Sequence, residues 1–176
     1  SFSRKPLYLD NEMHKTTIEV KVDYNKWYGA SSEIVEVCKE TILTVLNSEL
    51  TPIISPSDQI SILLTTDEQM GRLNKCYRGK NKPTNVLSFA SGLKKVKDIP
   101  LFLGDIAIGY SIALEESIKA DIPLIDHIQH LLIHGCLHIL GFDHENDIEA
   151  KKMENIEITI LKNLGIDNPY RTLLPT

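Results

Sequence analysis

Residues 123–140 constrain this chain more than any other segment. They are apolar at helical spacing, yet they carry His127, His130, His134 and His138, with Gly141 and His144 just beyond. His134 and His138 are four residues apart, one turn of about 5.4 Å, so both rings leave the same helical face. Gly141 can adopt the left-handed conformation that ends a helix, and the chain can then turn back to bring His144 to the same point. Three neutral imidazoles with an open fourth position form an arrangement that suits catalytic zinc. His134, His138 and His144 are therefore expected to hold one divalent ion per chain, zinc by the chemistry of the donors. Any one of these rings alone reads better as a packed or hydrogen-bonded histidine; the expectation belongs to the unit. His130 lies one turn before His134, but three successive turns span about 10.8 Å, too far to converge on one ion. His130, like His127, is expected to support or pack. Cys136 sits two residues from His134, about 200° around the helix, and points away.

The spacing equals that of the metzincin proteases, H-E-x-x-H-x-x-G-x-x-H, with one difference. Where those enzymes carry a glutamate general base, this chain has Gly135. The metal cage is kept and the proteolytic base is not.

Around this helix the pattern mixes strands and helices without strict alternation. Ile18, Val20 and Val22 alternate with polar residues as in a half-buried strand, and residues 59–65 form a short Ile/Leu-rich run. Residues 85–90 and 104–110 read as further strands. Helical spacing appears over 31–50, 66–77, 111–119, 123–140 and 146–164, the last opened by Asn146 with Glu149 and closed by Gly165. The fold class predicted is α+β: one small mixed sheet of about four strands packed by about five helices, the metal site at the end of the histidine-bearing helix. Residues 1–15 read as an N-terminal extension, native or left from expression, and residues 16–176 as a single hydrolase domain. Cys38, Cys76 and Cys136 are odd in number and far apart, which suits a reducing cytoplasm and no disulfide framework. The longest apolar-rich stretch is too short to span a bilayer, and no signal peptide is expected.

The net charge is −5, but it is unevenly spread. Residues 69–97 contain no Asp or Glu and eight cations, leaving 11 basic against 24 acidic residues elsewhere. A basic stretch on an acidic chain can focus a field on a polyanion, although a solvated loop face gives the same composition.

Three blocks occur in order: Arg78-Gly-Lys-Asn-Lys-Pro-Thr-Asn-Val-Leu-Ser-Phe89, Gly104-Asp-Ile106, and His134-Gly-x-Leu-His138-x-x-Gly-Phe-Asp-His144. Together with the ending Leu164-Gly-Ile-Asp-Asn-Pro-Tyr170, they resemble the YbeY endoribonuclease family over residues 60–170. Asn85 and Phe142 stand where that family usually has Asp and Tyr. The resemblance implies an α+β fold, one metal on the three histidines, and single-strand cleavage of ribosomal RNA in rRNA maturation and ribosome quality control. It also implies a functional role for Arg78. Ribosomal RNA and ribosomal particles are the expected partners, with neither DNA nor membrane. Phosphodiester chemistry agrees, because a guanidinium can donate two parallel hydrogen bonds to a phosphate. Lys80, Lys82, Lys94, Lys95 and Lys97 would then hold flanking phosphates. Arg78 paired to a carboxylate is the competing reading. No general base is evident, and Asp105, Asp126 and Asp143 are candidates that a structural role would explain as well. Two other functions stay open: a noncatalytic RNA- or ribosome-binding factor with a structural metal, and a metal-dependent hydrolase of another substrate.

Overall fold

The computed structural model describes residues 17–55, 57–78 and 85–171. The expected extension at residues 1–15 lies outside them, as do Lys80, Lys82 and the side chain of Arg78.

The alternating run becomes β1 (Thr17–Val22), which pairs in parallel with β2 (Gln59–Thr65), Thr17 opposite Gln59. A parallel pair needs a crossover, and α1 (Ile34–Leu46) supplies it. Next come α2 (Asp67–Arg78), β3 (Val86–Ala90) and β4 (Phe102–Gly109). β4 lies parallel to β2 and antiparallel to β3, giving the sheet order β1-β2-β4-β3. The chain continues as α3 (Tyr110–Ala120), α4 (Leu124–Ile139) and α5 (Asp147–Asn163). Among the described residues, four strands and five α-helices make up the α+β fold read from the sequence.

The two-residue period of the strands divides the sheet's faces. Ile60, Ile62 and Leu64 of β2, with Ile106 and Ile108 of β4, enter the large core beneath α1 and α4. Leu63, Leu87, Phe89 and Ala107 point the other way, against Met70 and Leu73 of α2. α4 is the hub, packed on β3, β4, α1, α3 and α5. A helix so enclosed is held on nearly every side, and side chains on its one open face inherit that rigidity.

Gly104 shows why the Gly104-Asp-Ile106 block begins as it does. The β2–β4 register slips between the pairs Gln59–Phe102 and Ile60–Gly104, and on its other side Gly104 pairs with Ala90 of β3. A Cβ at Gly104 would lie 2.3 Å from the Phe89 carbonyl oxygen. Gly104→Ala must therefore push two strand backbones apart and is expected to cost about 2–4 kcal/mol, read as a lower urea midpoint at unchanged slope. A loss under about 0.5 kcal/mol would show that the strands give way freely.

Two features escaped the sequence reading. A 3-10 turn, Asn25–Gly29, carries the fully buried Trp27, whose indole donates to the Thr65 carbonyl at 3.1 Å. The β3–β4 loop is anchored to the start of β2. Buried Asp58 accepts from the backbone N–H of Leu101 and Ser55, both at 3.0 Å, and from Lys95 Nζ at 2.8 Å. Lys95 also donates to the Ile99 carbonyl at 2.7 Å, so this cation is committed to the loop it belongs to. Among the described residues, no helix is long and apolar enough to cross a membrane.

Candidate metal centre

α4 ends through backbone bonds that the sequence dictates. Gly141, at φ +102°, donates to the His138 carbonyl, and Phe142 donates to the Leu137 carbonyl, both at 3.0 Å. This pair of bonds is the Schellman termination, which needs a left-handed residue where Gly141 stands. The reversed chain then carries His144 back to the helix end. Ring centroids are 4.6 Å apart for His134 and His138, 4.9 Å for His138 and His144, and 5.6 Å for His134 and His144. One nitrogen from each ring lies within 4.8 Å of the other two, a grouping that could hold a metal ion. His134 and His138 are half-buried and His144 is exposed, so the group opens to solvent on one side.

The ring nitrogens show that this donor set fits a cation. His134 Nδ1 lies 2.5 Å from Glu157 Oε1, and His138 Nδ1 lies 3.0 Å from the Phe142 carbonyl oxygen. Each partner can only accept, so in the neutral rings both Nδ1 atoms carry the proton and both Nε2 atoms carry a bare lone pair. Those two Nε2 atoms face each other at 3.1 Å. Two lone pairs at that distance repel unless a positive charge joins them. Nitrogens bound to one tetrahedral zinc at about 2.0–2.1 Å would be about 3.3 Å apart, close to what is seen. Burial, then the neighbouring His134 and His144, hold the His138 pKa below its ordinary value, against the Phe142 carbonyl and Asp143. His138 thus stays neutral, as a metal ligand must.

Glu157 is the residue that sequence reasoning missed. It projects from α5 into the core, fully buried, at a position flanked by Met153, Ile156, Ile160 and Leu161. Its Oε2 accepts from the Tyr170 hydroxyl, and His130 Nε2 lies 3.3 Å from the same oxygen. Burial alone would push the Glu157 carboxyl up, but the hydrogen bonds from His130, His134 and Tyr170 outweigh it and hold it down at about 2. Burial and the Glu157 carboxylate push the Tyr170 hydroxyl up, which keeps it a donor. The signal was present in the sequence: a lone acid inside an apolar helical stripe is unexpected unless something pairs with it.

The remaining candidates separate cleanly. His130 supports Glu157, as expected of a ring one turn from the ligand pair, and His127 Nε2 lies 3.2 Å from Glu116 Oε1. Glu116 also accepts from Asn85 at 3.1 Å, so the position that lacks the usual carboxylate donates to one on α3 instead. Asp143 accepts from its neighbour's backbone, His144 N, at 2.7 Å, and remains beside the histidines. Asp105 does not. It pairs across the sheet with Phe89 and lines a cavity of about 180 Å³ with Leu63, Leu73 and Ala107, on the α2 side. The sheet thus separates Asp105 from the histidines of α4. Asp126 is eight residues before His134, about 12 Å along the helix. Cys136 is buried and its thiol is pushed up to about 12 by burial, so it is inert and faces the core.

A family model described as Endoribonuclease YbeY matches residues 13–165. An Endoribonuclease YbeY of Ehrlichia canis is 41% identical over 155 residues, covering 87% of this chain and 96% of its own length. One from Colwellia psychrerythraea is 48% identical over 112 residues, 64% of this chain and 72% of its own. A Thermotoga maritima protein solved in solution aligns with a TM-score of 0.49 at 18% identity, covering 90% of this chain and 99% of that one. The matched stretch begins before β1, ends beyond α5 and takes in all three converging histidines, and on that match the chain belongs to the endoribonuclease YbeY family.

Proposed function

We propose that this chain is a metal-dependent endoribonuclease whose ion, zinc, is held by His134, His138 and His144. Its substrate on this reading is single-stranded ribosomal RNA during rRNA maturation and ribosome quality control, in the cytoplasm. The observation that carries the proposal is the pair of bare Nε2 atoms 3.1 Å apart on two rings whose other nitrogens are both spoken for. The printed names of the relatives supply the reaction class. Three donors among the described residues match a site with an open position better than the four of a closed structural zinc.

When bound, the ion would supply a Lewis acid for a phosphoryl oxygen. The chain's own residues do the rest. His134 and His138 enter with their tautomers already set, so neither of these rings has to change tautomer when the ion binds. Arg78, at the end of α2, is assigned to the scissile phosphate, where its planar fork suits two oxygens at once. Lys94 and Lys97 are exposed on the β3–β4 loop and available to flanking phosphates, whereas Lys95 is held by Asp58.

Ribosomal RNA incubated with zinc-loaded protein, chelator-stripped protein and zinc-loaded Arg78→Lys, followed by mapping of the ends, tests this. New ends should appear with the loaded protein and vanish on stripping. Arg78→Lys should turn over about ten- to a thousandfold more slowly, about 1.4–4 kcal/mol, with normal thermal stability and metal content. Equal cleavage with and without metal would refute the metal role. Near-normal turnover by a folded Arg78→Lys enzyme would remove that residue from catalysis.

A further inference from the structure

We infer that Glu157 is a positioning residue for the metal-binding ring of His134, and that Tyr170 locks it. Docking of the segment after α5 thereby sets how tightly the ion is held. The inference rests on the reading of the three histidines as metal ligands.

A carboxylate with no solvent exposure is expensive, and an apolar side chain at position 157 would complete the stripe formed by Met153, Ile156, Ile160 and Leu161. What the charge secures is visible in its contacts. Oε1 accepts a hydrogen bond from the N–H at His134 Nδ1, which points Nε2 of that ring at His138. A carboxylate behind a metal-binding imidazole fixes ring orientation and tautomer and raises the ring's basicity. Oε2 is kept from turning by two groups of different origin: His130 from α4 and the hydroxyl of Tyr170.

Tyr170 arrives by a route the chain builds deliberately. α5 ends as α4 does, with Gly165 at φ +78° donating to the Lys162 carbonyl and Ile166 donating to the Leu161 carbonyl. The chain reverses and runs back along α4, where the Asp167 charge pushes the Asp126 carboxyl up, second to burial. Asn168 then turns it, its Oδ1 accepting from Tyr170 N at 2.8 Å. The Tyr170 ring stands edge-on to His130 with centroids 5.4 Å apart. One glycine turn delivers the third ligand and a second delivers the residue that restrains the carboxylate behind the first.

The test uses full-length wild type, Glu157→Gln and Tyr170→Phe. Zinc affinity is measured by competition with a chromogenic chelator, and the His134 tautomer in metal-free protein by long-range 1H–15N NMR. Wild type should show His134 protonated at Nδ1. Glu157→Gln, whose amide can donate to Nδ1, should shift the ring toward the Nε2-protonated form and weaken zinc about 10- to 100-fold. Tyr170→Phe loses one oxygen from a partly exposed ring and should fold normally, weakening zinc about three- to tenfold. If Glu157→Gln fails to fold, Tyr170→Phe decides. A folded Tyr170→Phe with wild-type affinity and tautomer would overturn the lock, and the same result for Glu157→Gln would overturn the positioning role. A purely structural Glu157 would lower thermal stability and leave both readouts unmoved. Wild type that binds no zinc would refute the metal reading instead, while the tautomer of the metal-free chain would still judge Glu157.

Discussion

His138→Ala is expected to leave the chain folded, reduce bound metal to background and slow RNA cleavage by roughly a thousandfold or more, about 4 kcal/mol or above. His138 is the middle ring of the three, 4.6 Å from His134 and 4.9 Å from His144 by centroid, and its loss leaves two donors on opposite sides of a gap. Two imidazoles on one exposed and one half-buried residue cannot complete a three-donor cage. The structural cost is modest by comparison. The ring is only half-buried, and the Phe142 carbonyl that loses its donor sits in an open turn, so about 1 kcal/mol of stability is at stake. Elemental analysis, urea denaturation and end-mapping on one preparation separate the two effects. Full metal content in the folded variant would show that the ion sits elsewhere.

Gly135→Glu is expected to destabilise the fold by about 4 kcal/mol or more without creating a protease-like base. Gly135 is buried where α4 crosses the sheet, and a Cβ there would already lie 3.1 Å from Ile106 Cγ2 and 3.5 Å from Val86 Cγ2. A whole carboxylate would overpack this contact and bury an unpaired charge against isoleucine and valine. The metzincin spacing of the histidines thus sits on a scaffold that turns the intervening residue toward a sheet. Gly135→Ala is the internal control. Its tight contact is with Cγ2 of the buried Ile106, which must give by a few tenths of an ångström, and the gain in helix propensity of about 1 kcal/mol offsets that cost, so its midpoint should stay near wild type. Glutamate tolerated at under about 1 kcal/mol would mean that α4 stands off the sheet in solution.

Local signals were legible and long-range ones were not. The Asn146 cap of α5 is present as read, its side chain accepting from Glu149 N at 2.9 Å, and Thr66 caps α2 by accepting from Gln69 N at 3.2 Å. β2 runs over residues 59–65 as its Ile/Leu pattern indicated. The histidine unit was readable because every part of it, helix, glycine turn and third ring, lies within one short stretch. Glu157 was not, because its meaning depends on His134 and Tyr170, which approach only when α5 folds back on α4. Lys95 was misread for the same reason: its charge suggested phosphate, but Asp58, 37 residues away, had the prior claim. Asp105 was a candidate base by residue type alone, and the strand pairing places it on the sheet face away from α4.

The Gly141 turn carries a consequence for the unfolded chain. All three histidines fall between residues 134 and 144, so bringing them around an ion would close only short loops, a small entropic cost even without the rest of the fold. A zinc ion held by these rings would then also find them in the denatured chain, and what it would add to stability is only the difference between its two affinities. That difference resides in the groups far along the chain that preset the rings, Glu157 foremost. Tight metal binding and a metal-stiffened fold would be separate properties here, and the first can be strong while the second stays small.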